Sequence, residues 1–315
     1  MVPKILLKDN YDHYKDTLNI LRNIDNKTRE RIRNSSNLVI KPNFVSTYNQ
    51  ISATPLNTVK AILEYISKIR RKDIIIAEGP AFSDLKEGLK NYGYYQLKEQ
   101  YNLEFIDLNK DDFEIFTVWN EKIIKKIKVR VAKTILESDF IISPVRPKTH
   151  DTVIVTLSIK NVVMGAVQKG YKVLMHQGFR GINVNIAYLA IFMWPSLTII
   201  DGLVGMEGNG PINGLPISSN FILLSENPLV GDSITSLLMG FNPLNIGYLY
   251  YLWKLGFGEI DPDNVVFISE KNWKEYIREY KPHVTYKQQL NWKLDPETER
   301  KILLEIKEEI NKLSP

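Results

Sequence analysis

Residues 37–91, NLVIKPNFVSTYNQISATPLNTVKAILEYISKIRRKDIIIAEGPAFSDLKEGLKN, alternate between two kinds of apolar pattern. Asn37 to Lys41 is a short apolar run cut off by Pro42. Asp73 to Glu78 is a run of continuous isoleucine, the composition of a parallel strand covered on both faces. Between them Val59, Ile62, Leu63, Ile66 and Ile69 recur at helical spacing. Thr54 stands where it would cap that helix, and Pro55 at the first helical position, where a missing N–H costs nothing. A further helix is expected over Asp84 to Asn91. Strand, helix, strand, helix in succession predicts an α/β fold with a mainly parallel sheet flanked by helices.

On the N-terminal side, Lys4 to Lys8 reads as a strand and Tyr14 to Arg33 as a helix. On the other side the character changes. Glu104 to Asp107, Ile115 to Trp119 and Ile123 to Val131 read as strands around the turn Asn120-Glu121, a small antiparallel insertion over 104–131. Beyond it, Ala132 to Ser138, Gly181 to Met193, Pro228 to Met239 and Asn245 to Lys254 are expected to be helices. Ser196 to Asp201, Phe221 to Ser225 and Val265 to Ser269 are expected to be strands. Gly202 to Gly214 reads as a glycine-rich loop. Residues 1–282 form the expected α/β domain, and 283–315 a helical C-terminal tail with Ile302, Ile306, Ile310 and Leu313 on one stripe.

The chain has 315 residues, 44% of them hydrophobic and 24% charged, as in a globular protein with a substantial core. Its formal charge of +5 is spread over mixed-sign segments, and the basic runs Arg29 to Arg33, Lys68 to Lys72 and Lys122 to Arg130 read as solvated faces, so no nucleic-acid partner is expected. The absence of cysteine excludes disulfides, a catalytic thiol and a cysteine-ligated iron–sulfur cluster. An abundance of Ile, Lys, Glu and Tyr would suit a thermophile. The N-terminus lacks the pattern of a signal peptide, and the longest apolar run, Ile186 to Ile200, is divided by Pro195. A cytoplasmic protein with no membrane partner is expected.

The chemistry-bearing residues concentrate between Asp139 and His176. Phe140 to Ile142 has the length of a buried strand, and Pro144 and Pro147 are expected to turn the chain out of the core. The polar cluster Arg146, Lys148, Thr149, His150 and Asp151 follows, at the strand end where open α/β sheets place ligands. Lys160 and Asn161 follow an apolar run, and His176 closes the window; two of the four histidines of the chain therefore lie in it. Lysine beside histidine can hold an anion and move a proton.

Six motifs in order add a family resemblance: KPNF at 41–44 with Thr54-Pro55, PKTH at 147–150, SIKNVVMG at 158–165 followed by His176, IIDGLVGMEGNGPINGLPIS at 199–218, NPLVGDS at 227–233 and GFG at 256–258. Over roughly 36–260 the chain resembles the DUF362 family, a form without the ferredoxin-like cluster segment that some relatives carry. The resemblance implies a site, since the family is defined by sequence and not by an agreed reaction.

Other motifs fail on spacing. Gly208, Gly210 and Gly214 give G-x-G-x-x-x-G, one residue too long for a dinucleotide fingerprint. In GAVQKGYK at 165–172 the lysine falls one place late for a P-loop. Neither G-x-S-x-G nor H-E-x-x-H occurs. The leading expectation is an enzyme acting on a small anionic metabolite, with His150 and His176 exchanging protons and Lys148 and Lys160 holding a carboxylate or phosphate. Lys41, Asn43, Asn161, Gly208 and Gly210 are expected to bind ligand. Asp201, Glu207 and Asp232, with histidine, would offer oxygen and imidazole ligands to one divalent metal ion. The alternative class is a non-catalytic binding or scaffold protein working with a separate redox partner. For either class the expected partners are a small anionic ligand and a homo-oligomer or redox partner.

Overall fold

A computed structural model describes residues 2–313. In chain order the strands are β1 (Lys4–Asp9), β2 (Leu38–Ile40), β3 (Ile74–Glu78), β4 (Leu103–Asp107), β5 (Phe113–Trp119), β6 (Lys126–Ala132), β7 (Phe140–Val145), β8 (Lys148–His150), β9 (Ile154–Thr156), β10 (Leu197–Asn209), β11 (Asn213–Ser225) and β12 (Val266–Ile268). The main sheet runs β12-β1-β11-β10-β7-β2-β3-β4, and β8 joins it through β10. Strands β10, β7, β2, β3 and β4 are mutually parallel. Strand β11 is antiparallel to both its neighbours, β10 and β1.

Alternate residues of these strands feed two cores. Val39, Ala77 and Ile141 face one cluster, in which the helices Ser158–Ala166, Gly178–Ala190 and Pro228–Leu238 bury Val162, Ile186 and Ile234. Leu38, Ile40, Ile76 and Phe140 face the other, with Val59, Ile62 and Ile66 of the helix Leu56–Ser67. Each such side chain taken out of water contributes about 1.5–3 kcal/mol. Covering both faces is why the strands read as unbroken apolar runs.

Several boundaries move. Glu104–Asp107 lies in β4, a parallel edge strand of the main sheet, and the antiparallel insertion is the pair β5–β6, over 113–132. An edge strand has one open side, so its mixed polarity resembled a hairpin. Pro144 does not end its strand: it lies in β7, opposite Ile199, beyond the last residue that β2 pairs, so its missing N–H breaks no ladder bond on that side. The following residues do not leave the core; Arg146, Lys148, Thr149 and His150 are all buried.

Gly202 to Gly214 is a long β10–β11 hairpin, not a loop. Its glycines mark close approach: a Cβ on Gly205 would collide with the Tyr280 hydroxyl. Thr54 does not cap the helix Leu56–Ser67. Its hydroxyl donates to the Pro144 carbonyl at 2.7 Å, Pro55 takes the cap position, and no side chain caps the helix.

The C-terminal segment packs on the same chain. Ile302 and Ile306 are buried, Ile310 is half-buried, and Leu313 is exposed. Glu299 accepts from the Tyr250 hydroxyl at 3.1 Å, and Glu305 pairs with Lys126. Truncation before Asp295 is expected to cost on the order of 3–6 kcal/mol, the burial of two isoleucines, while sparing ligand affinity. Urea melts and ligand titrations of the truncated chain check this; loss of affinity in a folded protein would contradict it.

Candidate functional site

The carboxyl ends of β2 and β3 and the helix Ser158–Ala166 enclose a cavity of about 130 Å³. At its floor the Lys41 ammonium, fully buried, donates to Glu78 Oε2 at 2.6 Å, Asn161 Oδ1 at 3.0 Å and the Pro42 carbonyl at 3.0 Å. Burial pushes the Lys41 ammonium below the usual lysine range, and Glu78 partly offsets it. Asn161 Oδ1 also accepts from Asn43 Nδ2 at 2.9 Å, while Asn161 Nδ2 donates to the Lys41 carbonyl and to Ser143 Oγ. Asn43 Oδ1 in turn accepts from the Lys148 ammonium, which also donates to the Ser52 carbonyl at 2.6 Å. Gly165 is required beside this network, because a Cβ there would overlap the end of the Lys41 side chain.

The upper wall carries His150, Asp151, Lys160, Lys172 and His176. The Thr152 amide donates to His150 Nδ1 at 3.0 Å, and Asp151 Oδ1 lies 3.0 Å from the same nitrogen. Burial, reinforced by Lys160, pushes His150 down to about 3, so the ring is neutral at pH 7. The His176 ring lies 6.3 Å from it, centroid to centroid, with planes 21° apart. The surrounding protein and Lys160 push His176 down as well, although its ring is open to solvent at the cavity mouth.

Lys172 donates to the carbonyls of Met164, Gly165 and Val167, closing the C-terminal turn of the helix Ser158–Ala166. Burial lowers it to about 7. Lys160 is different. It is 6% exposed, burial lowers it to about 8, and it makes no hydrogen bond or ion pair among the described residues. The Thr156 hydroxyl, on the same cavity wall, is likewise buried without a partner.

The sequence profile of a domain of unknown function, DUF362, matches residues 38–236, well over half of the chain and the span that builds this cavity. The chain belongs to the DUF362 family. Within reach of this DUF362 chain is the thylakoid-associated protein sll1697 of Synechocystis sp., 21% identical over 236 residues that cover 71% of this chain and 70% of that protein. The lactate racemase apoprotein of Thermoanaerobacterium thermosaccharolyticum superimposes with a TM-score of 0.43 at 15% identity, covering 64% of this chain and 51% of that one. The chain thus spans about half the length of that protein. Among the described residues, no helix is long and apolar enough to cross a membrane.

Four of the six motifs reach the cavity. Lys41, Asn43, His150, Lys160, Asn161 and His176 all line it. Lys148 stands behind the wall, its ammonium spent on Asn43 and Ser52. Gly208 and Gly210 form the turn before Pro211 and Ile212, which do line the cavity; Thr149 Oγ1 donates to the Gly208 carbonyl at 2.8 Å.

The three acidic residues expected at a metal are not brought together. Asp201 bonds Thr58 on one face of the sheet, and Asp232 accepts from the Ser158 and Ile159 amides on the other. Burial raises Asp232 to about 8, against the two amides, which favour the carboxylate. Glu207 accepts from the Lys281 amide. Among the described residues no three His, Asp or Glu side chains form a metal-binding group.

Sequence reasoning missed Glu78, Thr156 and Lys172. Glu78 read as the end of a strand, and Lys172 as part of a failed P-loop. It also missed the role of the C-terminal segment. Gln289 Nε2 donates to the His150 carbonyl at 2.8 Å and Gln289 Oε1 accepts from the Ile154 amide. Ile154 has φ of 68°, a conformation rare for a β-branched residue, so Gln289 holds a strained hairpin that presents His150.

Proposed function

We propose that this cavity belongs to an enzyme and takes a small anionic metabolite, held by the Lys160 ammonium and the Thr156 hydroxyl between His150 and His176. The observation that carries the reading is Lys160. A buried ammonium without a hydrogen-bond partner is costly, the Asp151 carboxylate offsets only part of the burial, and an anion brought beside Lys160 supplies the direct partner it lacks. His150 and His176 then act as proton acceptor and donor on opposite sides of the substrate, one taking a proton as the other gives one. The bound anion faces both rings and favours their protonated forms, bringing them toward working pH. Lys41, Glu78, Asn161, Asn43 and Lys148 form the rigid network beneath, and Lys148 keeps Asn43 oriented without touching the ligand.

The test is thermal-shift screening of the full chain against small carboxylates and phosphates, with and without added divalent metal, followed by assay of each stabilising compound for conversion. A compound that stabilises the protein and is turned over supports the enzyme. Stabilisation by a partner protein alone, with no response to any anion, would replace it with the scaffold reading.

A further inference from the structure

The segment 43–54 gives Asn43, Phe44 and Val45 to the cavity above and Gln50, Ala53 and Thr54 to a second one, of about 330 Å³. His13, Arg146, Leu56 and Asn57 also line this second cavity. Asp201 organises it from behind. Its carboxylate is fully buried, accepts from Asn10 Nδ2 at 2.8 Å and from the Thr58 hydroxyl, and lies 2.7 Å from His13 Nδ1. Burial pushes the Asp201 carboxyl up, but the bonds from His13 and Thr58 outweigh it and hold the group below its usual range. The ring of His13 is therefore fixed with Nδ1–H on Asp201, and its Nε2 has no protein partner among the described residues.

Arg146 is 9% exposed; its Nε donates to the Ala53 carbonyl at 2.9 Å and its Nη1 to the Val204 carbonyl at 2.8 Å, leaving Nη2 without a partner. The helix Leu56–Ser67 begins at the same place without a side-chain cap, so the amides of Leu56 and Asn57 also lack acceptors. A buried guanidinium and two open helix amides are all donors or positive in character.

We propose that this second cavity is an oxyanion-binding site, taking a phosphate or carboxylate group on Arg146 Nη2 and the Leu56 and Asn57 amides, beside the His13 ring. Asp201 itself does not line the cavity; its carboxylate is turned to Asn10, Thr58 and His13 Nδ1 behind the wall. The site is independent of the one built on Lys160.

The test titrates inorganic phosphate into the full chain by calorimetry in a Lys160→Met background, in which any binding at the first site is weakened about 10–150-fold and so separates from a second event of unchanged affinity. That second event is expected to remain. Adding Asn57→Asp is expected to abolish it with an unchanged or higher melting temperature, because a carboxylate there favours the helix N-terminus while repelling an anion. No such event in the Lys160→Met protein, or binding that survives Asn57→Asp, would overturn the proposal.

Discussion

In the His150→Ala protein, turnover of the anionic metabolite is expected to fall about 10²–10⁴-fold, the usual contribution of a general acid or base, with affinity little changed. The separation follows from geometry: His150 lines the cavity, while the backbone carbonyl that anchors its hairpin remains available to Gln289. Some stability is expected to be lost, on the order of 1–3 kcal/mol, because the Thr152 amide loses its acceptor. The pH dependence has a definite sign. The fold favours the neutral ring, titrating at about 3 against 6.5 when unfolded, so stability present above pH 6.5 is lost as pH falls toward 3. His150→Ala is expected to remove that share of the acid sensitivity. Single-turnover kinetics and melts across this range check both statements. Equal losses of affinity and turnover would reassign His150 to binding.

Lys160→Met is expected to weaken the anion about 10–150-fold, the worth of one charge-assisted hydrogen bond of ~1.5–3 kcal/mol. The same substitution is expected to stabilise the unliganded protein, by on the order of 1–3 kcal/mol at pH 7, because it removes a buried charge whose desolvation outweighs the attraction of Asp151. Lys160 titrates at about 8 in the fold against 10.5 when unfolded, so its destabilisation is full below pH 8 and relieved as pH rises toward 10.5. The stability difference between mutant and wild type is therefore expected to shrink over that window. Weaker binding with greater stability is the signature of a functional site; a destabilised mutant with normal affinity would mark Lys160 as structural.

The parallel sheet was legible because its central strands, such as Ile74–Glu78, are covered on both faces and read as continuous apolar runs. The misreadings fall where tertiary context overrides local pattern. Glu104–Asp107 is an edge strand, half open, and looked like part of a hairpin. The β10–β11 glycines looked like a loop, yet Gly205 is small because Tyr280 packs on it. Thr54, an able cap, was drawn instead to the Pro144 carbonyl.

At the site, the polar residues that end strands or follow them, Lys41, Asn43, His150, Lys160 and Asn161, were legible from short motifs. Lys148 was not distinguishable from Lys160, since only the fold shows which ammonium already has partners. Thr156 carried no signal at all: a threonine within an apolar run gives no sign that its hydroxyl will be left without a bond.

Where an anion binds decides whether Lys160 and Thr156 form the site. A crystal structure of the chain with a stabilising carboxylate or phosphate is predicted to place the anionic group within hydrogen-bond distance of Lys160 Nζ and Thr156 Oγ1, between the rings of His150 and His176. An anion bound elsewhere, with Lys160 and Thr156 still lacking partners, would contradict the account.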